Sequence, residues 1–282
     1  AVAYVRGNDL YISDLRGGGE RAVTDTDVEH VLNGLHTWVY YEELYGRNWR
    51  AFWWSPSGEH IAFLQTSEAG VPRRTIVDDR RRTQRMETEA YPLPGEANPH
   101  VELWVAPRDG SPRLVDLSRY DPGAYLISAV RWTPDGRLVL MVQDRAQTWL
   151  DMLVVGAEGG RPERLMRQRT GAWVQPPMGP WWLAIYRRDG RLARRLTPDG
   201  FDVKRVERVD EEGGFVWFMA SRDQRVGLDL YRVSFDGGSF ARLTDGRGVH
   251  RVDISPDGSL FIDRWSNVNE PTKTAVRDSE GK

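Results

Sequence analysis

Apolar and polar residues along this chain come in short, alternating bursts closed by turns, the pattern of β-structure. Three strand-like runs, HIAFLQ (60–65), RLVLMVQ (137–143) and SLFID (259–263), each follow the same punctuation: an apolar residue, Ser or Thr, Pro, a short polar residue, Gly. These are Trp54-Ser55-Pro56-Ser57-Gly58, Trp132-Thr133-Pro134-Asp135-Gly136 and Ile254-Ser255-Pro256-Asp257-Gly258. Proline presets φ, the short polar side chain bonds the local backbone, and glycine takes the positive φ that ends a hairpin turn. The motifs start 78 and 122 residues apart (54 to 132 to 254), near two and three times forty.

A second unit recurs: GERAVT at 19–24, RRLTPDG at 194–200 and ARLTDG at 241–246, with weaker copies SPRLVDL and PERLMR. A strand and a Gly turn usually precede it, as in LDLYRVSFDGGSFARLT. Repeats of about 40 to 45 residues with four short strands indicate β-propeller blades. One blade cannot bury both faces of its small sheet, so blades stack around an axis. A β-sandwich also has many short strands, but does not predict paired turn motifs at multiples of forty. The fold class is therefore all-β, a partial β-propeller with five to six blades' worth of signal, a cut first blade and a polar final segment (262–282). A blade is shortened between GAWVQPPMGP and WWLAIYRRDG. Exposed sheet edges are a liability, so the ring is expected to be completed by sequence outside this chain.

Composition excludes several classes of function. Hydrophobic content of 40% and charged content of 28% argue against global disorder. A formal charge of −2 gives no basic field for nucleic acid. No apolar run approaches the roughly 18 to 20 residues of a membrane span. Without cysteine there are no disulfides, thiolate metal sites or cysteine nucleophiles, and the compartment stays open. Lysine occurs only at 204, 273 and 282, a bias that a GC-rich genome explains without function.

Two stretches interrupt the repeats. VEHVLNGLHTWVYYEELYGRNWRAFWW has good helix formers in WVYYEELYG and a stop at Gly46, which predicts a short helix projecting from a blade. VPRRTIVDDRRRTQRMETEAYPLPGEANPHVELW holds an arginine cluster, a Pro/Gly-rich loop (Tyr91 to Pro99) and an alternating strand. Arginines 80, 81, 82 and 85 could grip an acidic partner, but they follow Asp78 and Asp79, which favours a solvated, self-neutralising loop. No G-x-S-x-G elbow exists, the five histidines have no evident Ser partner, and no metal-ligand spacing occurs, so no catalytic residue, metal or cofactor is assigned. The acidic doublet Glu42-Glu43 follows the rings of Trp38, Tyr40 and Tyr41. Neighbours about 100° apart on a helix do not flank one bond as a glycosidase pair must. Two flexible carboxylates beside aromatic rings can instead reach one compact cation. A solvated surface pair is the plain alternative.

TWVYYEELYGRNWRAFWWSPSGEHIAFLQ (37–65) resembles the substrate-recognition segment of the dipeptidyl peptidase IV family of serine peptidases, whose pattern is WVYxEE, then WWSPDG and a strand. YPLPGEANPHVELWV is similar to that family's YPKAGxxNP segment, and DRAQTWLDMLV, GAWV, LYRVSFDGG and RLTDGRGVH fit in order, so the resemblance covers almost the whole chain. It implies an N-terminal portion, 1–282, of an eight-bladed propeller that caps a C-terminal α/β-hydrolase domain of the same parent chain, absent here. It also implies that Glu42 and Glu43 bind the free N-terminal amine of a peptide substrate, from which the parent releases dipeptides. The family's substrate-orienting arginine, catalytic triad and oxyanion tyrosine fall outside this chain, which by itself should bind poorly and hydrolyse nothing. Relatives are commonly dimers, which makes a homodimer a possible partner. Two departures stand out: Thr37, preceded by His36, replaces the family's Asp, and the loop after GAWV is short. A rival reading is a non-catalytic propeller that scaffolds protein partners, because fold alone does not assign function.

Overall fold

The three Ser/Thr-Pro-x-Gly motifs fold into one turn, built three times. In each, the amide of the Ser or Thr donates across the hairpin: Ser55 to His60 O at 2.8 Å, Thr133 to Arg137 O at 2.8 Å, Ser255 to Leu260 O at 2.9 Å. The glycine amide closes back onto the same residue's carbonyl, and its φ is +74° at Gly58, +79° at Gly136 and +73° at Gly258. The hydroxyl then accepts an amide at the far end of the turn, at 3.1 Å for His60, 3.0 Å for Arg137 and 3.1 Å for Leu260. Hydroxyl and glycine are both required by the geometry, which is why the motif survives at such spacing.

The computed structural model describes residues 1–282 except 16, 18, 81, 172, 175–182, 188–190, 199–200 and 225. QPPMGP and parts of the WWLAIYRRDG segment, where a shortened blade is expected, lie outside the described residues, as does Arg81 of the arginine cluster. The chain divides into two compact units, Ala1–Pro176 and Pro177–Lys282. Among the described residues no helix is long and apolar enough to cross a membrane.

The first unit holds three blade-like antiparallel sheets. Strands β1 (Val2–Arg6), β2 (Asp9–Ser13) and β3 (Glu20–Ala22) make the first. The second contains β4 (Val31–Asn33), β5 (Phe52–Trp54) and β6 (His60–Ser67). A separate ribbon, β7 (Arg73–Asp78) with β8 (Arg85–Ala90), then leaves the sheet before β9 (His100–Pro107) and β10 (Arg113–Leu114) complete it. The third runs up and down through β11 (Tyr125–Trp132), β12 (Leu138–Asp144), β13 (Trp149–Val155) and β14 (Glu163–Arg169). Inward residues of the second and third sheets share one apolar cluster that includes Leu64, Leu103, Ile127, Leu140 and Leu153, all fully buried. Trp132 Nε1 donates to Trp53 O at 3.0 Å between them. The arginine-rich segment ends the ribbon, where Arg80 folds onto Asp78 at 2.9 Å and Arg85 pairs with Glu87 at 2.8 Å, as a self-neutralising loop should.

In the second unit β15 (Ala184–Tyr186) pairs with β16 (Leu192–Arg195). A four-stranded sheet follows from β17 (Val203–Asp210), β18 (Phe215–Ala220), β19 (Asp229–Ser234) and β20 (Phe240–Arg242). A three-stranded one follows from β21 (Val249–Ile254), β22 (Leu260–Asn267) and β23 (Glu270–Asp278). These two sheets meet at a parallel bridge, Leu228 to Val249. Beside it the buried His250 places Nδ1 2.8 Å from Asp263 and Nε2 3.7 Å from Asp229, while Arg277 and Arg242 reach the two carboxylates. That network gives His250 a structural role.

The recurring unit that ends in Thr has an equally local cause. Thr24 Oγ1 accepts the amide of Leu10 at 2.9 Å, Thr197 Oγ1 that of Leu183 at 2.8 Å, and Thr244 Oγ1 that of Leu230 at 3.1 Å. In two repeats the same hydroxyl donates to the carboxylate before the leucine, Asp9 at 2.7 Å and Asp229 at 3.0 Å. The hydroxyl therefore ties the outer strand of a blade to its neighbour where backbone pairing ends.

Candidate functional site

The segment that carries Glu42 and Glu43 leaves an edge strand of the second sheet in mid-course. Strands β4 and β5 lie along the same partner: Asn33 is opposite Gln65, and Phe52 is opposite Phe63. Leu64, between those partners, is bonded from both sides of the excursion, its carbonyl accepting Gly34 N and its amide donating to Ala51 O, each at 2.9 Å. One strand is thus split, and residues 34–51 are looped out of it and closed at the base by the Leu35–Arg50 bridge. Gly34 has φ +75°, and a Cβ there would stand 3.3 Å from side-chain atoms of Val5, Leu10 and Phe52. Only glycine fits where the chain departs.

The expected short helix is a single π-type turn, Tyr40–Leu44, with Tyr45 N donating to Tyr40 O at 2.9 Å. Such wide turns are rare and concentrate at functional sites. Its conformation is held by side chains rather than by helix propensity. The Tyr40 hydroxyl accepts the amide of Ile127 at 3.1 Å, and the Tyr45 hydroxyl donates to the carbonyl of the same residue at 3.1 Å. One peptide position on β11 thereby anchors both ends of the turn. Burial raises the Tyr40 and Tyr45 hydroxyls above the usual phenol range, so both stay protonated.

Beneath the turn, His36 stacks on Tyr45 with ring centroids 4.0 Å apart. Among the described residues neither of its ring nitrogens has a hydrogen-bond partner, and burial pushes the imidazole down to about 3. His36 is therefore a neutral packing ring here. Thr37, which follows it, is buried, and its hydroxyl is unpartnered among the described residues. On the other side Tyr41 stacks on Trp49 at 3.8 Å, and Trp38 meets Tyr91 edge-on at 5.7 Å. Tyr91 opens the Pro/Gly-rich loop, which is held by Glu96: its carboxylate accepts Leu93 N at 2.7 Å and binds Arg74 at 2.6 Å.

The doublet itself is asymmetric. Glu42 is part-buried and takes three N–H···O contacts from Arg47, the shortest 2.8 Å. That hydrogen bond and charge hold the guanidinium above its ordinary value. Glu43 is exposed, and among the described residues no hydrogen bond or ion pair engages it. Gly46 at φ +58° ends the turn as its sequence position predicts, but the next residue, Arg47, also has φ +65°. Left-handed backbone is uncommon for a long side chain. Among the described residues no group of three or more His, Cys, Asp or Glu is placed to hold a metal ion. The π turn, the Ile127 anchor and Arg47 were not evident from sequence. The one available signal for Arg47 was an opposite charge just past the Gly46 stop.

Comparison with known proteins accounts for this arrangement of blades. The family model described as the dipeptidyl peptidase IV N-terminal region matches residues 1–180 and 177–272. Dipeptidyl peptidase 4 of Trichophyton tonsurans is 24% identical over 322 residues, covering 100% of this chain and 40% of that protein. Dipeptidyl aminopeptidase B of Saccharomyces cerevisiae is 34% identical over 190 residues, 64% of this chain and 22% of that protein. The crystal structure of Porphyromonas gingivalis dipeptidyl peptidase 4 has the same fold, with a TM-score of 0.85 at 24% identity over 99% of this chain and 42% of that one. The chain thus spans about two fifths of the length of the full-length relatives it matches. It belongs to the dipeptidyl peptidase IV N-terminal region family.

Proposed function

We propose that this chain is the substrate-recognition propeller of a serine-type dipeptidyl peptidase, and that Glu42 and Glu43 bind the free N-terminal ammonium of a peptide. The hydrolase domain of the same parent chain would then release the N-terminal dipeptide, the bound amine acting as a ruler that fixes the cut two residues in. One observation carries the reading. An acidic doublet is looped out of the middle of a strand on a side-chain-anchored π turn, with one carboxylate exposed and, among the described residues, unpaired. A surface pair with no ligand gains nothing from so specific a mounting, and adjacent like charges repel unless a cation is bound. Rings on the same segment, Trp38 and Tyr41, offer further attraction to an ammonium.

The test uses the complete gene product and a chromogenic Ala-Pro substrate, with its N-acetylated form as control. Hydrolysis should require the free amine. Glu43→Gln and Glu42→Gln should each lower kcat/KM by about 10- to 100-fold, the scale of a charge-assisted hydrogen bond. Equal turnover of the acetylated substrate, or unchanged kinetics in both variants, removes the ruler and leaves the scaffolding alternative.

A further inference from the structure

We infer that Arg47 is a specificity-determining residue of the acidic doublet, tuning it for a monovalent ammonium and against divalent cations. This rests on the amine-binding reading above. Two neighbouring carboxylates on flexible arms suit a small dication as readily as an ammonium, since both are compact positive charges sought by oxygen ligands. Attraction to the amine alone therefore does not discriminate; an element that disfavours the competitor is needed.

Arg47 has the position and geometry for this. Its guanidinium lies along the Glu42 carboxylate, Nη2 2.8 Å and Nε 3.2 Å from Oε1, with Nε also 3.2 Å from Oε2. The backbone takes φ +65° at Arg47, immediately after the left-handed Gly46, and so doubles back toward the turn, Arg47 N donating to Tyr41 O at 2.8 Å. Glu43 keeps no such partner among the described residues. The three side chains together carry one net negative charge in place of two. A carboxylate has lone pairs for more than the guanidinium, so Glu42 can still accept from an ammonium. A dication, however, meets a fixed positive fork and one free carboxylate.

The electrostatic consequence scales with the charge of the guest. Removing one positive charge at about 4–5 Å from an exposed site should raise affinity for a monovalent ammonium about fivefold, and for a dication about 25-fold, the square of that factor. The experiment titrates the isotope-labelled complete gene product separately with Mn2+ and with Ala-Pro amide, following the backbone amide signals of residues 42 and 43. Arg47→Gln removes the charge and keeps the strained backbone, Arg47→Gly removes the charge and relieves it, and Arg47→Lys keeps the charge. The Gln and Gly variants should both gain Mn2+ broadening at those two residues at about 25-fold lower concentration, with a gain of only about fivefold for the dipeptide amide, while the Lys variant stays close to the parent. Mn2+ affinity unchanged in both neutral variants, or rising no more than amine affinity, overturns the role of Arg47. A dipeptide amide that moves no signal at residues 42 and 43 in any variant sinks the amine reading instead, and the Mn2+ comparison still decides whether Arg47 excludes dications.

Discussion

Single side chains do unequal work at the doublet, and His36 shows it most directly. Its ring supports Tyr45 and thereby the turn, yet both nitrogens are buried without partners among the described residues. The unfolded chain takes up a proton there near pH 6.5, whereas the folded chain does so only at about 3. Between those values the unfolded state binds the extra proton, so stability contributed at this residue falls as pH drops, by about 1.4 kcal/mol per pH unit. Above pH 6.5 neither state is charged and the dependence vanishes. His36→Phe keeps the stacked ring and has no proton to gain. Urea unfolding of the chain at pH 7 and pH 5 should show the difference between the two conditions shrinking by about 2 kcal/mol in this variant. A pH dependence equal to that of the parent would mean that His36 is solvated or partnered. Little of this was legible beforehand. The doublet and its rings stood out in WVYYEEL because charge beside aromatics is a local feature, whereas the pairing of Tyr40 and Tyr45 with Ile127 joins residues far apart in sequence.

At the level of elements, the repeats were readable because their causes sit within a few residues of one another. Ser or Thr, Pro and Gly each answer one demand of the hairpin, and the Thr that closes GERAVT, RRLT and ARLT answers a free amide on the adjoining strand. The splitting of one edge strand into β4 and β5 was not readable, because VLN and FWW acquire a common partner only when β6 is in place. The helix expected over 38–46 followed from propensity, and tertiary anchoring turned it into a π turn. The threonine tie predicts a ranking of mutants. Thr→Val keeps the shape and deletes the hydroxyl, leaving a leucine amide unsatisfied at a cost of about 1–3 kcal/mol. Thr244→Val also strips a donor from the fully buried Asp229, Thr24→Val from the less buried Asp9, and Thr197→Val from neither among the described contacts. Loss of stability in urea should therefore rank 244, then 24, then 197. Equal losses at all three would show that the carboxylates contribute nothing to the tie.

For the whole molecule, the consequence of building from blades is locality. Among the described residues each apolar cluster draws its members from a single unit: those around Leu103 and Leu10 from residues 1–176, those around Phe218 and Trp217 from residues 177–282. In repeat architectures stability is close to a sum of units and nearest-neighbour interfaces, so damage should not spread far along the chain. Opening free energies then differ from sheet to sheet, and amide exchange resolves them. Thr244→Val provides the probe, since it weakens the sheet of β17–β20 at Leu230 and its contact with His250 and Asp263 through Asp229. Amide exchange should accelerate across β17–β23 by about tenfold or more for a loss near 1.4 kcal/mol. Protection at Ile127, which reports the anchor of the π turn, should stay within the error of the parent, and so should any affinity of Glu42 and Glu43 for an amine. Exchange at Ile127 that accelerated in step with β19 would instead make the chain one cooperative unit, and a substitution in the last blades would then disturb the doublet as surely as one beside it.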